Sequence, residues 1–240
     1  MLSGGHETSL PGMAIDRALL ESLGASRPRV AVIPAASTWR KRPTAALVAR
    51  RYWSQLGVVA DVIAPDLLRA RRDPLPTLRA ADLIVLTGAH PARLAATTAT
   101  TLWPHILDCW RQGTALAGSS AGAMALCQWR QQLAPPRPLR FVRGFGLIPA
   151  CAAAPHFNRP VVRRWTIAAS DARPDLLILG IDECTAMVGR DGDYAVHGTG
   201  SVSIIRAGVV TAYASGSRIP LDDLVAQTPD VSFPHPWAPV

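Results

Sequence analysis

Lysine is almost absent from this chain. Of the 25 basic residues, 24 are arginine and Lys41 is the single lysine, so the formal charge of +8 has two open explanations: a coding bias toward arginine, or an anionic partner. The basic residues sit in scattered groups (Arg40 to Arg42, Arg69 to Arg72, Arg163 and Arg164) without interleaved aromatics, which argues against a nucleic-acid platform. Cysteine is sparse as well. Cys109, Cys127, Cys151 and Cys184 form no C-x-x-C pair and no Cys/His pair at zinc spacing, so neither a disulfide framework nor a structural metal is expected. They read as small buried apolar side chains. No apolar run reaches the roughly 18 residues of a membrane span, and the start, MLSGGHETSLPG, lacks the basic and apolar regions of a secretory signal. The expected location is the cytoplasm, with no membrane partner.

What is present suits a compact protein. Apolar residues make up 49% and charged residues 18% of 240 positions, enough for a large core and against disorder; a single domain over residues 1–240 is the simplest expectation. Arg29 to Ala35, Val58 to Ile63, Ala81 to Thr87 and Thr114 to Ser119 are nearly continuous apolar runs, as in strands buried on both faces of a parallel sheet. Between them, Met13 to Leu23 and Pro43 to Leu56 read as helices closed by Gly24 and Gly57, and Pro91 to Gln112 as a third, broken near Pro104. This alternation predicts an α/β fold, a doubly wound, mostly parallel sheet flanked by helices. Further on, Met124 to Leu133 is expected to be helical up to Pro135-Pro136-Arg137-Pro138. Leu147 to Ala153, Leu176 to Ile181 and Thr185 to Val188 read as strands. Tyr194 to His197 and Ser201 to Ile205 read as a small antiparallel hairpin turning at Gly198-Thr199-Gly200, and the tail from Pro229 as irregular.

The stretch Gly118-Ser119-Ser120-Ala121-Gly122 falls where the fourth strand gives way to a helix. As a G-x-S-x-G elbow it would project the Ser120 hydroxyl from a tight turn toward an activating base. The glycines would let the backbone close, and the Ala121 N–H at the helix start would face a developing oxyanion. The same five residues could also form a purely structural turn.

The elbow with its trailing alanine (Gly118 to Ala123), Pro155-His156-Phe157, Gly180-Ile181-Asp182-Glu183-Cys184-Thr185-Ala186 and the opening Leu2-Ser3-Gly4-Gly5 together resemble peptidase family S51 in order and spacing over most of the chain. This family of aspartyl dipeptidases and cyanophycinases comprises serine hydrolases on a flavodoxin-like, class I glutamine amidotransferase-like fold. The resemblance implies that Ser120 attacks an amide carbonyl and that His156 is the general base, then the acid toward the leaving amine. Glu183, at the end of a strand, is the candidate third member by elimination, a solvated turn acid being the alternative, and Asp182 beside it would point elsewhere in an extended segment. Relatives carry an acid shortly after the elbow or two positions before the histidine, where this chain has the Pro135-Pro136 region and Ala154. The family's second oxyanion element, a glycine pair followed by Asn or Asp, corresponds to Gly88, Ala89 and His90, so Gly88 and Ala89 are candidate donors and His90 a candidate substrate contact. Arg159, three residues past His156, is the candidate for a substrate carboxylate, since a guanidinium binds both its oxygens; Arg163 and Arg164 fit a solvated helix face better.

The resemblance thus implies a cofactor-free, metal-free serine peptidase for small acidic, Asp-containing peptides or isopeptides, compatible with a homodimer. A non-catalytic amidotransferase-like domain that binds a metabolite or protein is the alternative. Glutamine amidotransfer would need a cysteine at the elbow and H-x-E, where this chain has Ser120 and His156-Phe157-Asn158. A dinucleotide site would need G-x-G-x-x-G in a βαβ unit, and neither glycine cluster supplies it.

Overall fold

The computed structural model describes residues 1–6, 9–38, 40–63, 73–132, 140–190, 193–220 and 224. The predicted parallel core is present. Strands β1 (Leu2–Ser3), β2 (Arg29–Ile33), β3 (Val59–Val62), β4 (Leu83–Leu86) and β5 (Ala115–Ser119) run parallel in the order β1-β5-β4-β2-β3. All four residues of β4 are buried, which is why its sequence, LIVL, shows no polar alternation. Helices α1 (Leu10–Ser22) and α2 (Arg42–Gln55) cover one face through Leu19, Leu20, Ala49, Tyr52 and Trp53. The short α3 (Leu75–Arg79), with α4 (Pro91–Thr98), α5 (Trp103–Arg111) and α6 (Ala121–Leu126), contributes Leu78, Leu94, Ile106 and Ala123 to the cluster on the other face. The break between α4 and α5 falls just before Pro104, as the sequence suggests, because proline is accepted in a first helical turn but not inside a helix.

The second half of the chain departs from the simple picture. Residues Cys127–Gln132 are not a continuation of a helix but a strand, β6, joined by β7 (Arg140–Arg143), β8 (Ile148–Pro155), β9 (Leu177–Ile181), β12 (Ser201–Arg206) and β13 (Val209–Ala214) in a second sheet ordered β13-β12-β9-β8-β6-β7. Glutamine and arginine favour helices intrinsically, but pairing with β7 and β8 on both sides overrides that preference. Leu133 and the Pro135 to Pro138 stretch lie outside the described residues, as does the tail from Pro229. The predicted 194–205 hairpin is also corrected. β11 (Asp193–Gly198) pairs with β10 (Thr185–Arg190) and β14 (Arg218–Ile219) on the first sheet, whereas β12 pairs with β9 and β13 on the second. The Gly198-Thr199-Gly200 turn carries the chain from one sheet to the other. Helix α7 (Pro160–Ala172) packs on β9 and β12 of the second sheet. One apolar cluster joins the sheets, running from Ile84 and Leu86 through Leu126 and Cys127 to Cys151, Leu179 and Val202. No helix among the described residues is long and apolar enough to cross a membrane.

The sheets meet at β1. Beyond its two paired residues the chain continues through Gly4 and Gly5, and three successive carbonyls are used. Ser3 O accepts from the Ser120 N–H, Gly4 O from the His156 N–H and Gly5 O from the Cys184 N–H, at 3.0, 3.0 and 3.1 Å. The neighbouring backbones leave no room here for a side chain: a Cβ at Gly4 would lie 2.0 Å from the Asp182 carbonyl oxygen. Gly4→Ala is therefore expected to cost about 1–3 kcal/mol of stability, as overpacking does, seen as a melting temperature several degrees below the parent's. An unchanged melting curve would contradict this packing.

Candidate active site

Strand register aligns the three candidate residues before any side chain is considered. Ser3 pairs with Ser119, which sets Ser120 beside Gly4; Pro155 pairs with Ile181, which sets His156 beside the turn that carries Glu183. The nucleophile candidate thus follows a strand of the first sheet, the base follows a strand of the second, and the acid lies on the connection between them. These are the carboxyl ends of parallel strands, where open α/β sheets place their ligands.

The elbow has the geometry its glycines imply. Ser120 adopts φ +49° and ψ −106° at the start of α6, a conformation that ordinary residues avoid. A Cβ at Gly118 would fall 2.6 Å from the carbonyl carbon of Gly122, and one at Gly122 would fall 2.2 Å from the Leu86 carbonyl oxygen. The two serines part company: Ser119 turns its hydroxyl into the interior against α1 and α2, while Ser120 faces the other way, into a cavity of about 510 Å³. That cavity is also lined by Ala89, His90, Met124, Pro155, His156 and Trp165.

Ser120 Oγ lies 2.9 Å from His156 Nε2, and His156 Nδ1 lies 2.8 Å from Glu183 Oε1. A proton on Nδ1 satisfies both contacts: the imidazole donates to the carboxylate and accepts from the hydroxyl. His156 itself has φ +58°, and its ring rests on Gly5, where a Cβ would come within 2.4 Å of Cε1. The Asn158 side chain accepts from the Glu183 N–H at 3.0 Å and so fixes the turn, while Asp182 accepts from Ser201 N at 2.9 Å and points away from the imidazole.

Glu183 Oε1 is a crowded acceptor. Besides His156 it is approached by Arg159 Nη2 at 2.6 Å and His6 Nε2 at 3.5 Å. Burial opposes ionisation of this carboxyl, but the hydrogen bond from His156 and the charges of His6 and Arg159 outweigh it and hold its pKa below the ordinary value. Arg159 is therefore brought to the acid and is not among the residues that line the cavity. In the 88–90 loop, Ala89 and His90 border the cavity, whereas Gly88 borders a smaller one on the α1/α2 side. Ala89 has φ +128°, the backbone of a glycine carried by an alanine. Ala121 opens α6, where first-turn N–H groups have no acceptor within the helix. The contributions of Gly5, Asn158 and His6 were not anticipated. The Gly4-Gly5 pair was the available signal for the first; nothing local marks the other two.

Comparison with known proteins places the chain in a family. Residues 1–196 match the model of peptidase family S51. The cyanophycinase of Trichormus variabilis is 30% identical over 223 residues, covering 85% of this chain and 72% of its own. That of Synechococcus elongatus is 32% identical over 221 residues, covering 85% and 67%. The crystal structure of a peptidase from an acI-B1 Actinobacterium superposes with a TM-score of 0.75 at 26% identity, over 91% of this chain and 95% of that one. The chain belongs to peptidase family S51 and is a peptidase of the serine type.

Proposed function

We propose that the chain hydrolyses small Asp-containing peptides or isopeptides through Ser120, His156 and Glu183, with an acyl-enzyme intermediate. The observation that carries this reading is the unbroken relay from hydroxyl to imidazole to carboxylate, 2.9 and 2.8 Å in its two links. In the first step His156 Nε2 takes the Ser120 proton as Oγ attacks the amide carbonyl. The ionised Glu183 stabilises the imidazolium so formed, and the N–H groups of Ala121, at the start of α6, and of Ala89, which borders the same cavity, are the proposed donors to the developing oxyanion. The imidazolium then protonates the leaving amine, and water, deprotonated by the same ring, releases the acyl group. An Asp-containing substrate is what the resemblance to this family implies, and relatives of the chain bear the name cyanophycinase.

Ser120→Ala is expected to lower kcat on a cleaved Asp-containing peptide by a factor on the order of 10⁶ without changing the circular-dichroism melt. Comparable turnover by mutant and parent would remove the assignment, and a folded parent that cleaves no such peptide would return the non-catalytic alternative. Gly5→Ala, which presses on the imidazole without touching its chemistry, is expected to cost on the order of 10² in kcat, measured on the same peptide; an unaltered rate would mean the ring is not held by this contact.

Glu183 also couples the site to stability. Its folded pKa lies below the unfolded value of about 4.3, so its ionised form stabilises the fold at neutral pH. That contribution is lost as pH falls through the folded value. Glu183→Gln imitates the protonated acid, so the parent should be the more stable at pH 7, with the gap closing below about pH 4. Denaturant melts across this range measure it, and a gap that widens on acidification would contradict the assigned charge.

A further inference from the structure

Among the described residues, five buried side-chain nitrogen or oxygen atoms have no hydrogen-bond partner, and four of them belong to residues lining the Ser120 cavity: Arg130 Nε and Nη1, Gln131 Nε2 and Thr166 Oγ1. The fifth is Ser119 Oγ, on the other side of the sheet. Native interiors leave few such atoms, so four around one cavity call for a physical reason. Gln131 is 8% and Thr166 0% exposed, so ordinary solvation does not explain them. Among the described residues Arg130 makes no ion pair, and burial lowers its pKa from the usual arginine value, as expected of a guanidinium partly withdrawn from water with no counter-charge. The chain offers it no acid nearby in sequence: between Asp108 and Asp171 there is no Asp or Glu, against eight arginines. The other arginines beside the histidine are engaged elsewhere, Arg159 on Glu183 and Arg163 over the Phe157 ring, 4.9 Å from its centroid.

We propose that Arg130, assisted by Gln131 and Thr166, is the specificity determinant of this site and receives a carboxylate of the bound peptide. The assignment rests on the serine-peptidase reading above and deepens it. A planar guanidinium matches a carboxylate with two parallel hydrogen bonds, and the amide and hydroxyl, which border the same cavity, are further neutral donors. All three can donate, and none of these four atoms has a partner among the described residues, which suits an anionic ligand group. The carboxylate is either the aspartyl side chain or the free carboxyl of the leaving residue; both would use the same donors.

Binding to the inactive Ser120→Ala protein tests this without requiring turnover. Calorimetric titration with Asp-Leu amide, Asn-Leu and Asn-Leu amide presents the side-chain carboxylate alone, the terminal carboxylate alone, and neither. One of the first two is expected to bind at least tenfold more tightly than the third, and which one identifies the source. Adding Arg130→Met should abolish that preference while the melting temperature stays equal or rises, since a partly buried charge without a counter-charge is removed. Arg130→Lys, which keeps the charge but not the fork, should retain part of it and serves if the methionine variant does not fold. No preference in the Ser120→Ala protein, or a preference that survives both Arg130 variants, overturns the assignment. Peptide cleavage by the parent scores the serine-peptidase reading separately: cleavage with an Arg130-independent preference sinks only this proposal, and Arg130-dependent binding by a parent that never cleaves sinks only the other.

Discussion

The site is held together by three peptide carbonyls. Ser3, Gly4 and Gly5 accept, in sequence order, from the backbone N–H groups of Ser120, His156 and Cys184. The strand of this segment is only two residues long, so its position depends on pairing with β5 on one side and β10 on the other. The requirement for glycine follows directly: the segment passes so close to the Asp182 carbonyl and the imidazole that a methyl group fits at neither position 4 nor position 5. Fixing the backbone in this way lets two short side-chain contacts form without each side chain having to find its place alone, which is the sense in which an active site is preorganised.

Backbone strain collects around the same point. Ser120, His156, Cys184 and Ala89 all have positive φ without being glycine. Such conformations cost of order 1–3 kcal/mol each and persist only where the surroundings over-determine them. The surroundings here are two sheets sharing one apolar cluster, so the fold can carry the strain. The electrostatic arrangement is similar in kind. Three basic side chains converge on one oxygen of Glu183, which keeps the acid ionised and the imidazole aligned.

Much of this was legible before the structure. The runs at 29–35, 58–63, 81–87 and 114–119 announce a parallel core because strands buried on both faces cannot hide their composition. The G-x-S-x-G frame announces the elbow because only glycine tolerates the contacts found at 118 and 122. The second sheet was less legible, and for a definite reason. CQWRQQ has no local preference for extended structure; it becomes β6 only because β7 and β8 flank it, and that information is distributed over distant residues. Arg130 was hidden by the same error, since a position expected in a helix gives no hint that a strand sets its guanidinium at the Ser120 cavity. Arg159 shows the opposite limit: its position in sequence suggested a substrate, while its side chain is taken up by Glu183.

The central claim is that this geometry makes one hydroxyl, and not its neighbour, nucleophilic. Reaction of the parent protein with a fluorophosphonate, followed by peptide mapping in a mass spectrometer, tests it most directly. The account predicts a single stoichiometric adduct on Ser120. An adduct on Ser119, or a folded protein that does not react, would contradict it.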